Sequence, residues 1–122
     1  IKQFNMGKHS VGNSLYTDLG NPNAIDVQCI NIEQFIQEND LKQPTLMKVD
    51  IEGSEYEMFD NLTNDFIKSV GTWIVEFHYN YEYEAEKIIH RFLDLGFNVE
   101  MKRGDVLKNH EHKCMGTFIA KK

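Results

Sequence analysis

Leu46-Met47-Lys48-Val49-Asp50-Ile51-Glu52-Gly53-Ser54-Glu55-Tyr56-Glu57 begins apolar and turns acidic at Asp50 and Glu52. It breaks at Gly53 and resumes at Ser54, with Glu57 three residues on in the capping-box position. The reading is strand, tight turn, helix. The strand, from Thr45 to Asp50, is nearly continuous in apolar character, as in a parallel sheet covered on both faces. Ligands of open α/β sheets bind outside the carboxyl ends of the strands. Asp50 and Glu52 fall at such an end.

Downstream, the helix runs from Ser54 to about Asn61, with Tyr56 and Phe59 inward, and a second helical stretch covers Asn64 to Ser69. Phe66, Ile67 and Val70 are its core residues. Thr72-Trp73-Ile74-Val75-Glu76-Phe77-His78 is the second clear strand. It too ends in functional groups, Glu76 and His78, which point to one face because they are two apart. Tyr83 to Leu95 places Ala85, Ile88, Ile89, Phe92 and Leu95 at helical spacing, and Gly96 stops the helix. Phe97 to Met101 alternates as a strand. Arg103-Gly104-Asp105 turns the chain, polar loop follows to about Lys113, and Met115 to Ala120 forms a last strand.

Upstream, residues 1–24 are rich in Gly, Asn and Ser and read as loop, with His9 on its surface. Ile25 to Ile30 mostly alternates, as a short strand does. Asn31 caps a short helix to about Asn39, with Gln34 in the capping-box position and Ile32, Phe35 and Ile36 on one face. The alternation of strands and helices predicts right-handed crossovers and a mostly parallel α/β sheet, closed by an antiparallel hairpin of the last two strands.

At 122 residues the chain is a single domain, 1–122, divided into a loop-rich segment 1–24 and an α/β core 25–122. A net charge of −6 without a basic patch argues against nucleic acid as a partner. No apolar run reaches the roughly 18 residues of a membrane span, and no signal peptide is visible. Cys29 and Cys114 lie far apart in apolar surroundings. Each reads as a buried strand thiol, which suits a reduced, cytoplasmic location. The chain starts at Ile1 without an initiator methionine, so a piece of something longer is expected.

If the two acidic-ended strands are neighbours, Asp50, Glu52, Glu76 and His78 gather at their carboxyl ends. Such a set can supply a general base for a substrate hydroxyl, or hold a divalent cation as in a metal-dependent hydrolase. The alternative is structural, a non-catalytic α/β oligomerisation module in which Glu52 and Glu55 cap helix N-termini. Glu55, on the first helical turn, fits cap and site equally. Asp50-Ile51-Glu52-Gly53 is not a calcium loop, since the glycine stands at the wrong offset. His110-Glu111-His112 lies in a polar loop without partner ligands and reads as solvated surface. Tyr79-Asn80-Tyr81-Glu82-Tyr83 either lines a cleft or covers a helix start, and both readings stay open.

Lys48-Val49-Asp50-Ile51-Glu52-Gly53-Ser54-Glu55 followed by Val75-Glu76-Phe77-His78 resembles the two strand-end signatures of the FkbM family of S-adenosylmethionine-dependent methyltransferases. Gly12-Asn13-Ser14-Leu15 is similar to the family's small-residue loop, and Leu95-Gly96-Phe97 to its glycine turn. Ile32-Glu33-Gln34-Phe35 matches a helix start only loosely.

The resemblance implies a class I methyltransferase (Rossmann-like) sheet ordered 3-2-1-4-5-7-6, of which this chain supplies the C-terminal half, strands 4 to 7. The first three strands and the cofactor-binding half are then absent. It implies transfer of a methyl group from S-adenosylmethionine to a hydroxyl of a sugar or polyketide-like small molecule. Asp50, Glu52, Glu76 and His78 are the catalytic candidates. Asn13, Ser14 and Asp50 border the cofactor. The strand ending at Asp50 is expected to have an exposed edge, which a second copy in a homo-oligomer would cover.

Overall fold

A computed structural model describes residues 2–5, 24–103 and 113–122; for 3–5, 24, 79–84, 103 and 113–115 it describes the backbone alone. The elements in chain order are β1 (Lys2–Asn5), β2 (Ala24–Val27), α1 (Ile32–Glu38), β3 (Leu46–Val49), α2 (Glu55–Asp60), α3 (Asn64–Ser69), β4 (Thr72–Tyr81), α4 (Glu82–Asp94), β5 (Asn98–Arg103) and β6 (Lys113–Lys121). β1 and β2 pair antiparallel as a separate two-stranded sheet, so Lys2–Asn5 is strand where loop was expected. Asn13, Ser14, His9 and His110 to His112 lie outside the described residues.

The main sheet is ordered β3-β4-β6-β5. β3 and β4 are parallel, with Val49 opposite Val75, and β6 runs antiparallel to both β4 and β5. The mixed α/β sheet and the antiparallel last pair agree with the sequence pattern. Register sets Asp50, just past the end of β3, beside Glu76, each one residue beyond the Val49–Val75 pair; Glu76 and His78 lie within β4, which runs on to Tyr81 rather than ending at His78 as expected.

One face of the sheet carries the core. Trp73, Val75 and Phe77 of β4 and Phe118 and Ala120 of β6 are buried there, opposite one another in register. Phe59 of α2, Phe66 and Ile67 of α3, and Ala85, Ile88 and Phe92 of α4 complete it. Phe92 is the hub, packing edge-on against Phe59, Trp73, Phe97 and Phe118 with ring centroids 5.2–5.8 Å apart. Such tilted and T-shaped pairs suit the aromatic quadrupole.

The expectation that β3 is covered on both faces is corrected. Only Val49 is buried and Leu46 is 53% exposed. Among the described residues β3 pairs with β4 alone, so it forms a sheet edge. Phe35 is exposed too, leaving Ile36 as the buried residue of α1. Cys29 corrects a second expectation. It follows the end of β2, in coil, and its thiol is exposed rather than buried. β2 ends at Val27, before the alternation reaches that position.

Local capping holds the helices in place. Asn31 Oδ1 accepts from the N–H groups of Glu33 and Gln34, as its position predicts. Thr63 caps α3 through Phe66 N–H, and Glu33 accepts from both the N–H and the hydroxyl of Thr63, tying α1 to the α2–α3 corner. Gly96, at φ +86°, ends α4 as predicted. No helix among the described residues is long and apolar enough to cross a membrane.

Candidate functional site

The turn between β3 and α2 is built on two consecutive residues with positive φ, Glu52 at 53° and Gly53 at 104°. Glycine reaches that region freely; glutamate does so at a cost of roughly 1–2 kcal/mol. Glu55 holds the turn. Its carboxylate accepts from Ile51 N–H at 3.0 Å and from Gly53 N–H at 3.2 and 3.0 Å, one contact to each oxygen. The predicted capping box does not form. Ser54 has φ −89° and ψ 5°, not the extended backbone of a side-chain cap, and makes no side-chain cap hydrogen bond. Glu57 turns outward and pairs with Lys2.

β4 supplies the other wall. Its pairing with β6 shifts register between Phe77 and Asn80, and His78 falls within that irregularity. Bulges of this kind re-aim side chains and recur beside functional sites. The imidazole is buried at 3% exposure. Nδ1 lies 3.1 Å from Glu55 Oε1. On the other side of the ring, Nε2 is 3.6 Å from Glu76, 3.8 Å from Glu52 and 4.0 Å from Asp50. The tertiary structure thus brings Asp50, Glu52, Glu76 and His78 together around one ring nitrogen. The three carboxylates are each about one third exposed, so the cluster has a buried floor and an open mouth.

Lys48 stands at the rim and donates to Asp50 at 2.7 Å. The hydrogen bond and charge of Asp50, with a further pull from Glu76, hold its ammonium above the ordinary lysine value of 10.5. Ligand atoms of Asp50, Glu52 and His78 all lie within 4.8 Å of one another, a spacing that a cation could span.

Glu55 is the residue that sequence reasoning left undecided between cap and site. It is fully buried and bonded to both the turn and the imidazole. A signal was present: Glu55 is four residues before the buried Phe59, on the helix face that points inward. A carboxylate on that face needs partners, because unpaired burial of a charge is costly. Of the tyrosine run after His78, and of Cys114, only the backbone is described. The cofactor-bordering candidates reduce, among described residues, to Asp50.

A family model, the methyltransferase FkbM domain, matches residues 5–99. No curated protein and no solved structure matches the chain.

Proposed function

The chain belongs to the FkbM methyltransferase domain family, and from that premise we propose that it carries the acceptor side of an S-adenosylmethionine-dependent methyltransferase acting on a hydroxyl. The acceptor class we favour is a sugar or polyketide-like small molecule. The observation that carries this reading is the convergence of Asp50, Glu52 and Glu76 on Nε2 of a buried His78, where the carboxyl end of β3 lies beside the parallel strand β4. We read β3, β4, β5 and β6 as strands 4, 5, 6 and 7 of the class I sheet, supported by the order β3-β4-β6-β5 and its antiparallel member.

The donor set suits both reactants. Ionised carboxylates accept hydrogen bonds from an acceptor hydroxyl and offset the charge of a sulfonium. When bound, S-adenosylmethionine supplies an electrophilic methyl carbon. Asp50 is the described residue assigned to border it. His78 Nε2 would be the base that takes the hydroxyl proton, and Glu76 and Glu52 would stabilise the imidazolium that results; the methyl group would pass to the acceptor oxygen as its bond to the sulfonium sulfur breaks, leaving the neutral thioether. Orienting the two reactants in line supplies much of the acceleration in such transfers.

Calorimetry with S-adenosylmethionine and S-adenosylhomocysteine, on this chain and on any longer protein containing it, tests the proposal. Binding by either is expected; absence of binding in both would sink it. The spacing of Asp50, Glu52 and His78 favours a second reading, in which a divalent cation joins the site. Titration with Mg²⁺ or Mn²⁺ should then show binding that His78→Ala weakens; equal affinity in that variant removes His78 as a ligand.

A further inference from the structure

We propose that a groove along α2 is a second binding site, for a small aromatic alcohol or ketone. The cavity measures about 390 Å³, within the range of small-molecule sites. One wall is a face of α2 and its caps: Ser54, Glu57, Met58 and Asn61 follow helical spacing there, whereas Glu55, Tyr56 and Phe59 are buried on the other side. The opposite wall is the start of α1 and the coil before it, with Ile30 and Ile32. Two polar bridges join the walls. Lys2 pairs with Glu57, and Asn31 Nδ2 donates to the Asn61 carbonyl at 3.0 Å. The groove is therefore held open at a set width before any ligand enters.

The lining selects the ligand. Ile30, Ile32, Ile51 and Met58 are apolar, and a methionine thioether packs well against an aromatic ring. Ser54 is the most buried of the lining residues, at 7% exposure. Its hydroxyl makes no cap hydrogen bond and none to any other described residue. A hydroxyl kept from water without a partner is costly, and a ligand that supplies the partner recovers that cost. One hydroxyl or carbonyl on an apolar ring does so, because a serine hydroxyl both donates and accepts. An ionic ligand fits less well, since Lys2 and Glu57 at the groove already neutralise each other. The groove shares the β3–α2 turn with the His78 cluster but uses other residues of it: Ile51 and Ser54 line the groove, while Asp50 and Glu52 face the imidazole. A ligand there needs neither S-adenosylmethionine nor the His78 cluster.

The test is a titration of the methyl-labelled full chain, followed by ¹H–¹³C NMR. The probes are phenol and toluene, which carries a methyl group in place of the hydroxyl. Phenol should produce saturable shifts at the methyl groups of Ile30, Ile51 and Met58. Ser54→Ala should weaken phenol about fivefold, the scale of one hydrogen bond, and leave toluene unchanged. Met58→Trp fills the groove and should abolish binding of both probes; it decides the matter if Ser54→Ala does not fold. No saturable shift at those methyl groups in the native protein overturns the proposal. Phenol affinity that is unchanged in folded Ser54→Ala or in Met58→Trp does the same. S-adenosylhomocysteine should not displace phenol. Displacement would make the groove part of the cofactor site, overturning this proposal while supporting the methyltransferase reading. Phenol binding in a protein that binds no S-adenosylmethionine would sink that reading and leave this one standing.

Discussion

Glu55 and His78, 23 residues apart in sequence, meet at 3.1 Å with both side chains out of solvent. One sits in the first turn of α2 and the other in the irregular stretch of β4. The contact ties the turn after β3 to the strand beside it. It makes the candidate site a property of two neighbouring strands rather than of either alone.

The turn geometry gives a prediction on stability that is separate from chemistry. Glu52 holds φ 53°, where a Cβ is disfavoured. Glu52→Gly and Glu52→Ala both remove the carboxylate, but only glycine relieves the backbone. The glycine variant should be more stable than the alanine variant by about 1 kcal/mol. Paired urea titrations check this, and equal midpoints would argue against a left-handed Glu52.

Arg91 reaches from α4 to the far end of α2. Its guanidinium donates to the carbonyls of Phe59 at 2.5 Å and Leu62 at 2.7 Å, and to Asn64 Oδ1 at 2.8 Å. Phe59 lies in the last turn of α2 and Leu62 just beyond its C-cap, where positive charge is favoured, and α2 has no basic residue of its own in its last turn. Arg91→Ala should cost about 1–3 kcal/mol in chemical denaturation. Arg91→Lys should recover only part, since one ammonium cannot span three acceptors in a fixed fork.

Phe92 joins helix α4 to rings on α2, β4 and β6 and to Phe97, just before β5. Phe92→Ala leaves a cavity among them and should cost about 3–5 kcal/mol, read as a lowered denaturation midpoint. A loss below about 1 kcal/mol would mean the aromatic cluster is not the centre of the core.

Lys48 and Asp50 give a pH-dependent expectation. The lysine is raised in the folded protein, so its pairing contributes stability below pH 10.5 and loses it as pH rises through the shifted value. In Asp50→Asn the Lys48 ammonium should titrate closer to 10.5, followed by its side-chain NMR signals. No change on substitution would show that the hydrogen bond does not persist in solution.

Much of this protein was legible in its order of residues. Apolar and alternating runs gave β3, β4, β5 and β6, the i, i+3, i+4 spacing gave α4, and the carboxylates at Asp50 and Glu76 marked the site. Those signals are local, and local periodicity follows directly from backbone geometry. Three features were decided only in the folded molecule. The sheet order β3-β4-β6-β5 and the Val49–Val75 register depend on pairing between distant segments, and they alone bring Asp50 beside Glu76. The exposure of Leu46 and Cys29 depends on what covers them, which no local pattern encodes. Glu55 fitted a helix cap and the site equally from its position in the sequence; burial against His78 and the strained turn made it the pivot. Its role exists only where three separate groups converge on one carboxylate, a relationship that tertiary packing alone creates.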